Sequence, residues 1–274
     1  MGIETLSYNE LLEEWLVLGN ELQNLIRTNA KIKKGDMLDV TAFVNFQVDP
    51  KLYTFGKIIA DAYTQKYGQE YVTEILTVES SGNAFAMLVA EKFYKPMIFA
   101  RKTIPATVND EKLYSAEAES YTQGEKHTII VKKSFIKPED RILIIDDFIA
   151  RGNATFALVD IIEQAKAELA GIVAIITKDF EGQRGYKELK KYINDYNINH
   201  ENKASVNTLV RITDMSTTPE DIIKIHRKLL PASKCSEIED FWHVRNVPFQ
   251  TDAGLTEFSF DSGFLGCQKC SSSY

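Results

Sequence analysis

Residues 141–162, RILIIDDFIARGNATFALVDII, constrain this chain more than any other segment. A run of apolar, largely branched residues ends in two adjacent carboxylates, Asp146 and Asp147. A short loop, 148–153, carries Gly152, and a helical pattern opens near Ala154 or Thr155. A strand without polar alternation is buried on both faces, as strands of parallel sheets are. The helix after it turns free backbone N–H groups and its positive dipole end toward the loop, which suits an anion. The aspartates just upstream are badly placed for that anion. They suit hydroxyl groups beside it, as in a ribose phosphate. In open α/β sheets such ligands sit at the carboxyl ends of the strands. On spacing alone, two helix-capping aspartates and a turn glycine account for the segment equally well. No GxxxxGK[ST] run is present, so this is not a P-loop.

The same alternation recurs along the chain. Strands are expected at 72–78, 96–100, 141–145, 171–177 and 206–212, with helices at 84–93, 155–169, 186–196 and 219–230. Upstream, Leu11, Leu12, Trp15, Leu18, Leu22, Leu25 and Ile26 recur at helical spacing, and a second helix follows Pro50 through Leu52, Phe55, Ile58, Ile59 and Ala62. Buried strands separated by helices predict an α/β fold with a central parallel sheet flanked by helices. Residues 103–127 break the rhythm as a long polar connection with room for a hairpin. Such length marks a lid or binding loop. From Pro231 onward only scattered aromatics interrupt a polar stretch, which reads as an extension packed on the domain or partly disordered.

Composition narrows the function classes. Hydrophobic residues make up 44% of the 274, enough for a sizeable core, and the formal charge of −7 counts against a nucleic-acid partner. No apolar run is long enough to span a membrane, and the acidic start MGIETLSYNE carries no secretory signal. Neither Gly2 with Leu6 nor Cys270, one place too early, completes a lipidation motif. Three cysteines form no disulfide framework and point to a reducing, cytoplasmic setting. Cys267 and Cys270 form a CxxC without a second pair. His127, His200, His226 and His243 show no metal-ligand spacing, so no direct metal site is expected.

Two further segments favour anions. Glu79, Ser80, Ser81 and Gly82 turn between a strand and a helix, placing small hydroxyls and a glycine at a second helix N-terminus. FARK ends another strand with Arg101 and Lys102. Two anion nests and a basic pair on one sheet edge suggest a ligand with two separated phosphate groups.

These residues resemble the type I phosphoribosyltransferases, and within them the xanthine-type members. The resemblance runs through DVTAFVNFQVDP (39–50), VESSGNA (78–84), FARK (99–102), SYTQGE (120–125), LIIDDFIARGNA (143–154), AGIVAIITKDF (170–180) and VNTLVRI (206–212), in order along about three quarters of the chain. It implies that family's fold: a central parallel sheet flanked by helices, a small N-terminal/C-terminal hood and a long lid loop at about 103–127. It implies a phosphoribosyltransferase domain over 18–230, leaving 1–17 as a helical extension and 231–274 as an extension of unknown role. It implies transfer of the 5-phosphoribosyl group of phosphoribosyl diphosphate (PRPP) to a 6-oxopurine, first of all xanthine, with Mg²⁺ bound through the diphosphate and a homodimeric state. Adenine or hypoxanthine/guanine transfer, or a non-catalytic PRPP-sensing regulator, are the alternatives.

Roles follow from the same resemblance. Asp146 and Asp147 would hold the ribose hydroxyls, and the backbone of Ala150, Arg151, Gly152, Asn153 and Ala154 would cradle the 5-phosphate. Ser80, Ser81, Gly82 and Lys102 would meet the pyrophosphate. Asp146, Asp147 and Lys102 would carry catalysis. Leu38 and Asn45 would touch the purine, and Lys178 would donate to its 6-oxo group. Segment 120–125 would close over the reaction. Two positions depart from the pattern. Ala150 stands where many 6-oxopurine enzymes carry an aspartate, leaving no obvious general base. Arg151 stands where xanthine-type members tend to have a small polar residue.

Overall fold

A computed structural model describes residues 6–33, 37–103, 112–119, 126–180, 182–200, 204–212 and 223–225. Helix α1 (Tyr8–Asn29) opens with a capping box in which Ser7 and Glu10 bond each other's backbone N–H. Its apolar stripe buries Leu11, Trp15, Leu18, Leu22 and Ile26. The helix runs unbroken across residues 17 and 18, and Leu11 and Trp15 belong to the same core as Leu52 and Phe55. Packing therefore shows no seam at the expected end of the N-terminal extension.

A short antiparallel pair follows, β1 (Lys31–Lys33) and β2 (Met37–Asp39), then a π-type turn over Thr41–Asn45 and helix α2 (Phe55–Tyr67). The main sheet is built from β3 (Glu74–Val78), β4 (Met97–Ala100), β7 (Arg141–Ile149), β8 (Glu168–Lys178), β9 (Val206–Ile212) and β10 (Ile223–Ile225). Its order is β10-β9-β8-β7-β3-β4. Only β10 is antiparallel to its neighbour. Helices α3 (Asn83–Phe93), α4 (Asn153–Ala165) and α5 (Gly185–Asn199) join the parallel strands.

Both faces of the sheet are covered, which explains the strands' unbroken hydrophobicity. Leu143 and Ile145 of β7 pack with α1, α2 and α3. Ile142 and Ile144 pack with α4 and α5. The two-residue period of a strand divides them.

Three expectations change. Strand β7 does not stop at Ile145 but continues to Ile149, because β8 keeps pairing with it through Asp146↔Ala174, Phe148↔Ile176 and Ile149↔Thr177. Helix α4 ends at Ala165 rather than 169. Lys166 takes a left-handed conformation at φ 59°, and the N–H groups of Lys166 and Ala167 donate to the carbonyls of Glu163 and Ile162. That helix stop normally carries glycine, so the lysine hid it. The helix expected at 219–230 is replaced over Ile223–Ile225 by edge strand β10, paired with β9. Residues 219–222 and 226–230 lie outside those described. The described part of the long connection forms the hairpin for which the sequence left room, β5 (Leu113–Glu119) with β6 (Lys126–Lys132). Ala116, Ala118, Ile129 and Val131 bury its inner face in the core that includes α4. Residues 120–125, expected to close over the reaction, lie outside the described set, as do the CxxC, Cys235, His226 and His243.

At the edge of the sheet remote from the strands' carboxyl ends, Glu74 begins β3. Burial and the nearby Asp140 carboxylate push its acid up to about 7. A folded chain that holds this proton while the unfolded chain has lost it is less stable as pH rises from about 4.5 to 7. Urea midpoints at pH 5 and pH 7.5 should fall in that direction, and Glu74→Gln should flatten the fall. A midpoint difference unchanged in the variant contradicts this account.

Candidate functional site

The parallel strands end together, and their carboxyl ends carry the loops singled out by sequence. After β3, Glu79–Gly82 turn into α3, with a cis peptide between Glu79 and Ser80. Glu79 ties this turn to the end of β4. Its N–H donates to the Ala100 carbonyl (2.9 Å), and its carboxylate accepts from the Lys102 N–H (3.0 Å) and faces Arg101 Nε (3.5 Å). Ser80 and Lys102 are exposed.

Asp146 and Asp147 are consecutive in a strand and therefore face opposite ways. Asp147 lies on the α1–α3 side. Its Oδ1 accepts from Ser81 Oγ at 2.8 Å and its Oδ2 from Asn45 Nδ2 at 3.5 Å. One carboxylate thus joins the turn after β3 to the N-terminal hood. Asp146 lies on the α4 side, accepting from the Asp147 N–H (2.9 Å) and from Thr155 Oγ1 (3.4 Å) of α4. Both are almost fully buried. Burial raises the Asp146 acid well above the usual range, and the Asp147 charge adds to it. Burial also raises Asp147, against which the Ser81 hydroxyl works. Protein groups around the pair are neutral donors: Ser81, Asn45 and Thr155.

The loop after β7 reaches α4 through Gly152, whose φ of 83° is left-handed and favours glycine. Gly152 has no side chain to cap the helix, so the first-turn N–H groups of α4 remain the site's natural anion donors. Sequence reading missed what sits behind this loop. Gly185, first residue of α5, donates its N–H to the Ala150 carbonyl at 3.0 Å. A Cβ on Gly185 would lie 2.5 Å from Arg151 C and 2.6 Å from both Ala150 O and Gly152 N. The GQRG run at 182–185, ahead of a helical pattern, was the available signal.

Lys178 ends β8, only 2% exposed. Its Nζ lies 5.5 Å from the Phe148 ring centre and 5.7 Å from that of Phe180, two half-buried rings also not singled out from sequence. Next to it, buried Asp179 is held by Arg211 Nη1 at 3.2 Å and Lys187 Nζ at 3.6 Å. Leu38 is half-buried against the α1–α3 core, and nothing described links its side chain to Asp147. Among the described residues no group of three or more His, Cys, Asp or Glu side chains could hold a metal alone. Asp146 and Asp147 each offer hard oxygen donors of the kind a magnesium ion takes, on opposite sides of the strand.

The model of the phosphoribosyl transferase domain matches residues 51–210, well over half of the chain. The chain belongs to the type I phosphoribosyltransferases. Among relatives of this phosphoribosyltransferase, the xanthine phosphoribosyltransferase of Oenococcus oeni is 41% identical over 160 residues, 58% of this chain and 76% of the relative. That of Lacticaseibacillus casei is 37% identical over 186 residues, 68% of this chain and 92% of the relative. The solved adenine phosphoribosyltransferase of Rhodothermus marinus superposes with a TM-score of 0.52 at 19% identity, over 72% of this chain and 99% of that one. At that identity the likeness speaks for the phosphoribosyltransferase fold alone.

Proposed function

We propose that this enzyme transfers the 5-phosphoribosyl group of PRPP to a 6-oxopurine, xanthine first, releasing pyrophosphate and the nucleoside monophosphate. The observation that carries the choice of base is the buried ammonium of Lys178, which lies over the rings of Phe148 and Phe180. An ammonium only donates hydrogen bonds, so it favours a 6-oxo oxygen and disfavours a 6-amino group. The two rings offer apolar faces to a flat heterocycle. The named activity of relatives 37–41% identical supports the same base.

In this reading N9 of the purine attacks C1 of the ribose while the C1–O bond to pyrophosphate breaks, through an oxocarbenium-like transition state. The α4 N–H groups after Gly152 hold the 5-phosphate, and Asp147 turns from Ser81 and Asn45 to the ribose hydroxyls. Ser80, Ser81, Gly82 and Lys102 receive the pyrophosphate. Fixed donors aimed at developing charge, with reactants held in line, supply most of the rate. Mg²⁺ bound to the diphosphate would neutralise the leaving group, with Asp146 and Asp147 the carboxylates nearest in kind to assist. A homodimeric state and a cytoplasmic location belong to the same proposal, and size-exclusion chromatography and fractionation test them.

Chromatographic assay of nucleotide formed from PRPP, Mg²⁺ and each of xanthine, guanine, hypoxanthine and adenine tests the reaction. Xanthine should give the highest kcat/KM. Preference for adenine, or binding of PRPP without turnover, contradicts the reading. Gly185→Ala tests the phosphate loop from behind. Its Cβ must push the backbone of 150–152 aside, at a cost of about 1–3 kcal/mol. Pulling the displaced loop back on binding should lower PRPP affinity by roughly five- to a hundredfold. Titration of PRPP into the variant measures it, and wild-type affinity would show that the loop does not hold PRPP.

A further inference from the structure

Consecutive residues of a strand face opposite ways, so Lys178 and Asp179 at the end of β8 divide between the two sides of the sheet. Lys178 lies over Phe148 and Phe180, whose side chains pack against the α1–α3 core. Asp179 faces β9 and α5 instead. Arg211 Nη1 lies 3.2 Å from one of its carboxylate oxygens and Lys187 Nζ 3.6 Å from the other.

Asp179 is almost fully buried, and a buried carboxylate is costly unless its partner is held in place. Arg211 meets that condition. It is mostly buried itself, and its guanidinium lies 5.3 Å from the ring centre of Tyr186, in the first turn of α5. Lys187 is exposed, so its arm of the contact contributes little. The backbone adds a second tie: the Asp179 N–H donates to the Ile212 carbonyl at 2.8 Å, and Lys178 pairs with Ile212 in the β8–β9 ladder. Charge and backbone together clamp the end of β8 to β9, on the side of the sheet away from the base.

A lysine ammonium rides on a flexible four-carbon stem, so its aim depends on how firmly its root is held. Displacements of about 1 Å between reacting or recognising groups are enough to lower rates strongly. We propose that Asp179, clamped by Arg211, is a positioning residue for base recognition: it fixes the end of β8 so that the Lys178 ammonium meets the 6-oxo oxygen. The proposal rests on the reading of Lys178 as the residue that takes the base.

Steady-state kinetics of Asp179→Asn, alone and combined with Lys178→Met, test it with xanthine, adenine and PRPP. The asparagine keeps the shape of the side chain and removes its charge. KM for xanthine should rise about tenfold while KM for PRPP stays close to that of the wild type, and adenine should not share the loss. In the Lys178→Met background the same substitution should leave KM for xanthine where the methionine alone puts it, because the group being positioned is gone. Asp179→Glu, which restores the charge, should recover part of the loss. Arg211→Gln removes the other end of the clamp and should reproduce the pattern, so the test does not hang on the folding of one variant. An unchanged KM for xanthine in Asp179→Asn overturns the proposal. So does a loss that persists in full on top of Lys178→Met, or a KM for PRPP that rises with that for xanthine. Failure of the base reading looks different: Lys178→Met alone would then leave KM for xanthine unchanged.

Discussion

Asp147→Asn is expected to lower kcat/KM for PRPP by about a hundredfold while leaving the protein as stable as before or more so. The carboxylate's two oxygens face Ser81 and Asn45, the positions from which ribose hydroxyls would take it over. Each hydrogen bond to a charged group contributes about 1.5–3 kcal/mol, and two are weakened together. Stability should move the other way. Burial raises the acids of both Asp146 and Asp147, and the Asp147 charge raises Asp146 further. A neutral amide of the same shape relieves that repulsion. Loss of function with a gain in stability marks a group kept for its chemistry. Steady-state kinetics in PRPP and a thermal melt at pH 7.5 measure both. Unchanged kinetics would remove Asp147 from the site, and a large drop in melting temperature would make it a structural residue.

Lys178→Ala should raise KM for xanthine, guanine and hypoxanthine together by roughly ten- to a hundredfold, the worth of one charge-assisted hydrogen bond. PRPP affinity should stay close to that of the wild type, and adenine should gain relative to the other bases. Because the side chain is only 2% exposed, its removal also leaves a cavity. Lys178→Met fills that space without the charge, so it separates lost recognition from lost packing. The methionine variant should show the same KM pattern with a melting temperature nearer to that of the wild type. Equal losses for all four bases, with weaker PRPP binding, would assign Lys178 to the phosphate site.

Much of this architecture was legible because burial leaves a direct mark on residue type. Strands covered on both faces must be apolar throughout, so β3, β7, β8 and β9 stood out, and α1 announced itself by the 3.6-residue period of its buried stripe. The segment around Asp146, Asp147 and Gly152 was legible for the same reason: carboxylates that close an apolar strand ahead of a helix lie at the edge where such sheets bind ligands. The misplaced boundaries share one cause. Aspartate is a poor strand former and lysine an unlikely left-handed cap, so local preference ended β7 early and carried α4 too far. Pairing with β8 and the turn at Lys166 overrode that preference.

The order of apolar strands and amphipathic helices was enough to give the layers of this phosphoribosyltransferase, the family it resembles and the loops at the strand ends. Tertiary structure decided how those loops meet. Only the strand's alternation, held by the sheet, turns Asp146 toward Thr155 and Asp147 toward Ser81. Asn45 reaches Asp147 across 102 residues of chain, and Gly185 supports Ala150 from a helix beyond the next strand. Residue type records whether a side chain is buried or exposed. Which distant partner it meets depends on how helices and strands pack, and that is a property of the whole fold.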